Sequence, residues 1–325
     1  MEVLITGVAG FIGSNLADYL LSKGIKVVGI DNYDNFYSRA VKEQNLASAL
    51  NNPNFSFYEV DITDSEGLNS VSFNGTTVIH LAAKAGVRPS IENPKLYVHN
   101  NITGTQTLLE WMKVKGIKNM VFASSSSVYG NNEKTPFAES DNVDHPISPY
   151  ALTKKACELL NFTYFKLYGI SSINLRFFTV YGERQRPDLA IHKFVKLISA
   201  GNPIEIYGAG QTGRDYTYVG DIVRGIEQAM ALVNAPGPHY EIINLGNSSP
   251  VKLMELVNTI SELLNTKPVL NYLPPQPGDV EFTYADVSKA AELLHFRPST
   301  PLKTGLQNFI SWFQATNTPK ILPQK

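Results

Sequence analysis

The stretch Glu2-Val3-Leu4-Ile5-Thr6-Gly7-Val8-Ala9-Gly10-Phe11-Ile12-Gly13-Ser14 decides how the rest of this chain is read. An apolar run of strand length stops at Gly7, and glycines at Gly7, Gly10 and Gly13 lead into an apolar-periodic helix. Such glycines permit a tight turn, let backbone approach a pyrophosphate, and let the helix pack closely on the strand. The helix start then presents unpaired N–H groups to negative oxygens. Asp31 closes the next apolar strand, about 20 residues on, where a carboxylate accepts hydrogen bonds from ribose hydroxyls and repels a 2′-phosphate. The stretch predicts a dinucleotide site, with NAD favoured over NADP.

Outward from that turn the first half alternates strands and helices. Strands are predicted at Glu2-Thr6, Lys26-Ile30, Phe55-Val60, Thr77-Leu81, Asn119-Ala123 and Ser171-Leu175. Helices are predicted near Ile12-Lys23, Asn35-Leu50, Asp64-Val71, Ile102-Lys115 and Pro149-Tyr168. This is the pattern of an α/β protein, a Rossmann doubly wound parallel sheet with crossover helices on both faces. From Phe177 onward Pro and Gly punctuation replaces the alternation, as in Arg186-Pro187-Asp188 and Gly208-Ala209-Gly210. A smaller α/β substrate-binding lobe is expected over residues 177–216 and 247–313. Residues 217–246 return to the first domain, residues 1–176, and the stretch 314–325 reads as a tail.

At 325 residues the chain is too long for one comfortable core. Its 28 basic and 29 acidic side chains give a net charge of −1, which offers no general attraction to nucleic acid or an anionic membrane. Cys157 is the only cysteine, so no intrachain disulfide forms, and the N-terminus enters a strand directly; a cytoplasmic protein is expected.

Further residues complete the expected cofactor site: Phe11 and Ile12 at the helix start, Asn32 after Asp31, Asp61-Ile62 after the third strand, and Asn100. Leu81-Ala82-Ala83 ends the fourth strand with side chains small enough for close passage of the cofactor. The chemistry is expected from Tyr150 and Lys154, one helical turn apart in Ser148-Pro149-Tyr150-Ala151-Leu152-Thr153-Lys154, and from Ser125 in Ser124-Ser125-Ser126-Ser127. A tyrosine ordinarily ionises near pH 10, about three units too high for a base at neutral pH. A neighbouring ammonium and a positive nicotinamide ring should lower that value. A lone tyrosine-lysine pair is more often an amphipathic helix face. Here it follows a glycine turn, an acid after the second strand and a serine cluster after the fifth, which implies hydride transfer between a carbinol carbon and NAD.

Gly7-x-x-Gly10-x-x-Gly13, Ser124-Ser125-Ser126-Ser127-Val128-Tyr129-Gly130, Tyr150-x-x-x-Lys154, Arg176-Phe177-Phe178-Thr179-Val180-Tyr181-Gly182 and Arg214-Asp215-Tyr216-Thr217-Tyr218-Val219 together resemble the extended short-chain dehydrogenase/reductase family of nucleotide-sugar enzymes. Through His80-Leu81-Ala82-Ala83-Lys84-Ala85-Gly86-Val87-Arg88 and Arg186-Pro187-Asp188 the chain looks closest to the UDP-glucuronate 4-epimerases. The resemblance implies that Tyr150 takes the proton from a sugar 4-hydroxyl as hydride leaves carbon 4. The 4-keto sugar then turns over and receives the hydride on its opposite face. Dehydrating and decarboxylating relatives carry acids where this chain has Ser126 and Ser127, which favours plain epimerisation.

For a UDP-sugar, Arg214 and Lys193 are the expected phosphate contacts, Asp279 a contact to ribose or an orienter of an arginine, and Tyr207 with the Gly208-x-Gly210 turn the flank of the base. A sugar carboxylate would be held by Arg186, Thr179, Ser126, Ser127 and Arg88, with Arg186 leading. Relatives commonly have Trp-Gly before that arginine, whereas this chain has Arg184-Gln185. A UDP-glucose or UDP-N-acetylglucosamine epimerase and a dinucleotide sensor without catalysis are the other readings. Apolar residues on the helices at Ile102-Lys115 and Pro149-Tyr168, namely Leu108, Leu109, Trp111, Leu159, Phe162 and Phe165, together with the family resemblance imply a homodimer through a four-helix bundle.

Overall fold

The parallel pattern read from the sequence is built as a seven-stranded sheet. In this computed structural model, which describes residues 1–208, 210–274 and 282–317, the chain opens with β1 (Glu2–Thr6), α1 (Phe11–Ser22), β2 (Lys26–Asp31), α2 (Arg39–Leu50), β3 (Phe55–Glu59), α3 (Ser65–Asn69) and β4 (Thr77–His80). Next come the short α4 (Val87–Glu92) and α5 (Pro94–Tyr97), a π-helical turn over Val98–Thr103, α6 (Gly104–Lys115) and β5 (Asn119–Ser125). A 3-10 turn over Ser126–Tyr129 leads to α7 (Pro149–Tyr168), β6 (Ser171–Phe177), β7 (Thr179–Tyr181), α8 (Ala190–Ser199), β8 (Ile204–Tyr207), β9 (Gly213–Tyr218) and α9 (Val219–Val233). The chain closes with β10 (Tyr240–Leu245), β11 (Pro250–Lys252), α10 (Leu253–Leu264), β12 (Leu270–Leu273), α11 (Ser288–Leu294) and α12 (Leu302–Asn317).

The large sheet runs β10-β6-β5-β4-β1-β2-β3, all parallel. Its order reverses at β1, between β2 and β4, and at such a reversal the strand ends frame a ligand crevice. Covered on both faces, its strands are almost continuously apolar. Alternate residues go to opposite faces: Val3 and Ile5 join the core with Leu16, Leu20 and Ile226, whereas Leu4 joins Val28, Leu108, Met112 and Phe122.

A three-stranded sheet, β11-β9-β7, and a two-stranded sheet, β12-β8, surround a third core of Phe194, Val195, Ile206, Leu256 and Phe309. β10 returns from there to pair with β6. α12 runs to Asn317, into the stretch expected as a tail, because Leu306, Phe309, Ile310 and Phe313 form one apolar stripe buried in that third core.

One helix start also differs from expectation. α2 begins at Arg39 rather than Asn35. Asp34 N donates to Asn32 Oδ1 at 2.9 Å and Phe36 N donates to Asp34 Oδ1 at 2.9 Å, so side chains cap the backbone where a helix would otherwise start. Residues 32–38 become a loop lying along the crevice.

Candidate active site

The crevice at the sheet reversal is a cleft of about 360 Å³. It is lined by Gly7, Gly10, Phe11, Ile12 and Gly13 on one wall, Asp31, Asn32, Asp61 and Ile62 at one end, and Leu81, Ala82, Ala83 and Asn100 opposite. Ser125, Tyr150, Lys154, Thr179 and Arg186 line its other end.

The glycine turn is shaped for close backbone approach. Gly7 has φ of +71°, and a Cβ there would stand 2.8 Å from Ala82 Cα. A Cβ on Gly13 would lie 2.2 Å from Gly7 O and 2.9 Å from Val8 Cα. Gly7 N donates to Ile30 O at 2.8 Å, which ties the turn to β2, and α1 starts without a side-chain cap. The helix-start N–H groups thus face a cradle that fits a dinucleotide pyrophosphate.

Asp31 is buried, and Ala9 N and Tyr33 N donate to its carboxylate at 3.1 and 2.8 Å. Burial pushes its pKa up, against the pull of Lys42, whose Nζ lies 4.0 Å away. Asp61 is not the cap of α3, a role taken by Asp64. Burial would raise the Asp61 pKa, but hydrogen bonds from Thr63 N, Thr63 Oγ1 and Asn32 Nδ2 outweigh it and hold the carboxyl below its ordinary value.

Sequence reasoning passed over several residues. The loop after β2 brings Asp34, Phe36 and Tyr37 into the cleft, with Lys42 behind them. Lys84 is buried and pairs with Asp34 at 2.6 Å. Asn101, in the π-helical turn, accepts from Lys84 N and donates to Lys84 O and to Thr153 Oγ1, and Thr153 Oγ1 donates to the Tyr150 carbonyl. The adjoining pair Asn100-Asn101 and its break from helical periodicity were the available signal; π turns cluster at functional sites.

α7 starts where Ser148 accepts from Ala151 N at 3.1 Å and Pro149 occupies the first turn. Tyr150 N donates to Ser90 Oγ at 3.1 Å, and the Tyr150 ring meets Tyr97 edge-on at 6.3 Å. Burial raises the Tyr150 pKa; a hydrogen bond with Ser125 and the charge of Arg186 oppose that rise. Lys154 shares the face, and its Nζ donates one of its three N–H bonds to Ala123 O at 2.6 Å. Burial pushes Lys154 down to about 8, opposed by the charge of Glu158 one turn along α7.

Of the expected substrate residues among those described, only Thr179 and Arg186 line the cleft. Arg186 forms a two-bond pair with Asp188, at 3.0 and 2.8 Å, and stacks 5.0 Å over Phe36. Ser126 and Ser127 sit in the 3-10 turn beside the cleft, with Ser127 N donating to Ser125 Oγ at 3.1 Å. Arg88 lies 5.4 Å from the ring of Tyr207, so α4 and β8 meet. Arg214, on β9, donates to Gly213 O at 2.9 Å, and Lys193 is exposed on α8. Asp279 lies outside the described residues.

A doubly wound sheet with a glycine cradle at its reversal and a Tyr-x-x-x-Lys helix facing it defines a dinucleotide-dependent enzyme of the short-chain dehydrogenase/reductase type. The family model described as GDP-mannose 4,6 dehydratase matches residues 4–309, and the chain belongs to that family. It is 44% identical, over 312 residues and 95% of each chain, to a UDP-glucuronate 4-epimerase of Thermodesulfobacterium geofontis. It is similar to the crystal structure of UDP-glucuronic acid 4-epimerase from Bacillus cereus with UDP-glucuronic acid and NAD, at 36% identity and a TM-score of 0.89 over 97% of this chain and 100% of that one. It is also similar to a UDP-glucose 4-epimerase of Thermotoga maritima, at 33% identity and a TM-score of 0.87 over 97% and 99%.

Proposed function

We propose that this chain is an NAD-dependent nucleotide-sugar 4-epimerase, an isomerase, acting on UDP-glucuronate to give UDP-galacturonate. The observation that carries the reading is the grouping of Tyr150, Ser125 and Arg186 at one end of the glycine-lined cleft, with serines at Ser126 and Ser127 where elimination would need a carboxyl group. Gly7, Gly10 and Gly13 hold the pyrophosphate, and Asp31 with Asn32 the adenosine ribose. NAD, when bound, supplies a hydride acceptor that gives the same hydride back, so no net oxidation occurs.

The protein's part is proton handling and orientation. Tyr150 Oη receives the 4-hydroxyl proton, and Ser125 Oγ hydrogen-bonds both that oxygen and the sugar hydroxyl. Arg186 favours the phenolate by charge, and so does the Lys154 ammonium one turn along α7. Thr179, Ser126, Ser127 and Arg186 restrain the sugar carboxylate away from the orientation in which a β-keto acid loses carbon dioxide. Arg88, on α4, is a further donor to that carboxylate, and Tyr207, Lys193 and Arg214 serve the UDP half from the second lobe, with Asp279.

The Arg186–Asp188 pair favours one second reading, a neutral UDP-glucose or UDP-N-acetylglucosamine epimerase, because this guanidinium already has a carboxylate partner. Purified protein given UDP-glucuronate without added NAD should form UDP-galacturonate. Inertness there, with turnover of UDP-galactose, would establish the neutral-sugar reading instead. The enzyme works as a cytoplasmic homodimer, as Leu152, Leu159, Phe162 and Leu167 on α7 and Val114 on α6 are exposed apolar side chains that a second copy would cover. Leu108, Leu109 and Trp111, expected at that face, instead pack inside this chain against Met112 and Tyr164.

A further inference from the structure

One buried ion pair behind the active site has no role in the chemistry just described. Glu158 and Arg176 are each 1% exposed. Arg176 Nε and Nη2 donate to Glu158 Oε1 and Oε2, both at 2.9 Å, and Ser124 Oγ donates to Glu158 Oε1 at 2.6 Å. Ser124 and Arg176 are register partners on β5 and β6, so the two strands grip one carboxylate from α7. Tyr240 OH adds a bond to the Glu158 carbonyl at 2.9 Å, and the Arg176 guanidinium lies 4.9 Å from the Tyr129 ring.

We infer that Glu158, clamped by Arg176 and Ser124, is a positioning residue of the reaction. It is the counter-charge of Lys154 and the brace holding the lysine's helix against the strand that carries Ser125. Ser124 precedes Ser125 directly, and Glu158 lies one turn from Lys154 on the same face of α7. The other titratable groups that act on Lys154 or are acted on by it are Cys157 on α7 and His80 on β4. Burial drives the Cys157 thiol up and His80 down to about 3, so both are neutral where the enzyme works. Arg176, on β6, stands behind Glu158. The acidic residue one turn from the buried lysine therefore has its own position fixed by four hydrogen bonds, three to its side chain and one to its carbonyl.

The inference rests on the epimerase reading, and the test separates the two. The alkaline limb of kcat is followed in the NAD-containing enzyme as purified, for wild type, E158Q, R176M and E158Q/R176M. Lys154 loses its charge as pH rises, so removing its counter-charge moves that limb to lower pH, by about one unit in E158Q. R176M removes a cation and moves the limb upward. The double variant buries no unpaired charge and gives a limb between those of E158Q and wild type. A common loss of kcat in all variants with the limb unmoved, or a double variant with the wild-type profile, would overturn the inference. Should a single variant not fold, the double variant decides by the same criterion. Wild type inert on every nucleotide sugar would instead defeat the epimerase reading before any variant is made.

Discussion

At Tyr150 the protein and the reaction make opposite demands on one oxygen. Burial favours the neutral phenol, and the groups that favour its ionised form are Ser125 and Arg186. Lys154, expected on the same face from helix spacing, anchors one of its three N–H donors on Ala123 O. Spacing along a helix is a local property and was legible. Where a long side chain ends is decided by which carbonyl lacks a partner after folding, and that was not. The glycine turn, Asp31, Tyr150 and Lys154 could be found because their spacing is the function. Asn101, Lys84 and Asp34 are single polar residues on separate elements, and only the fold brings them together. Tyr150→Phe removes the proton acceptor and keeps the ring that packs on Tyr97. Turnover should fall about 10²–10⁴-fold, with the melting temperature and NAD content unchanged; stopped assays with cofactor extraction check this.

Elements arise where propensity and pattern agree, and they shift where side chains compete with the backbone. β1 and α7 have the predicted boundaries because a strand closed by Gly7 and a helix opened by Ser148-Pro149 carry strong end signals. α2 lost its first turn to the Asn32 and Asp34 caps, and the loop over residues 32–38 supplies Asn32, Asp34, Phe36 and Tyr37 to the cleft. The junction of β1 and α1 tolerates least change. In Gly13→Ala the new methyl would meet Gly7 O at 2.2 Å, so the helix must move off the strand. The variant should lose about 1–3 kcal/mol of stability and its bound NAD, read by thermal melts with and without added cofactor.

Across the whole molecule the parallel sheet was legible from alternation, whereas the small sheets β11-β9-β7 and β12-β8 were not, since their strands are short and come from segments far apart in the sequence. The same holds for the surface: Leu108 and Leu159 look alike in sequence, yet one is fully buried and the other is 56% exposed. If a second copy covers the α7 face, Leu159→Glu should halve the mass seen by light scattering while leaving secondary structure unchanged; an unaltered dimer would place the interface elsewhere. The central claim is that one hydrogen leaves carbon 4 of the sugar and returns to it, with Tyr150 handling only the proton. UDP-glucuronate carrying deuterium on carbon 4, turned over in ordinary water without added NAD, tests this most directly. The account predicts UDP-galacturonate that retains the deuterium on carbon 4, and loss of that label to solvent would contradict it.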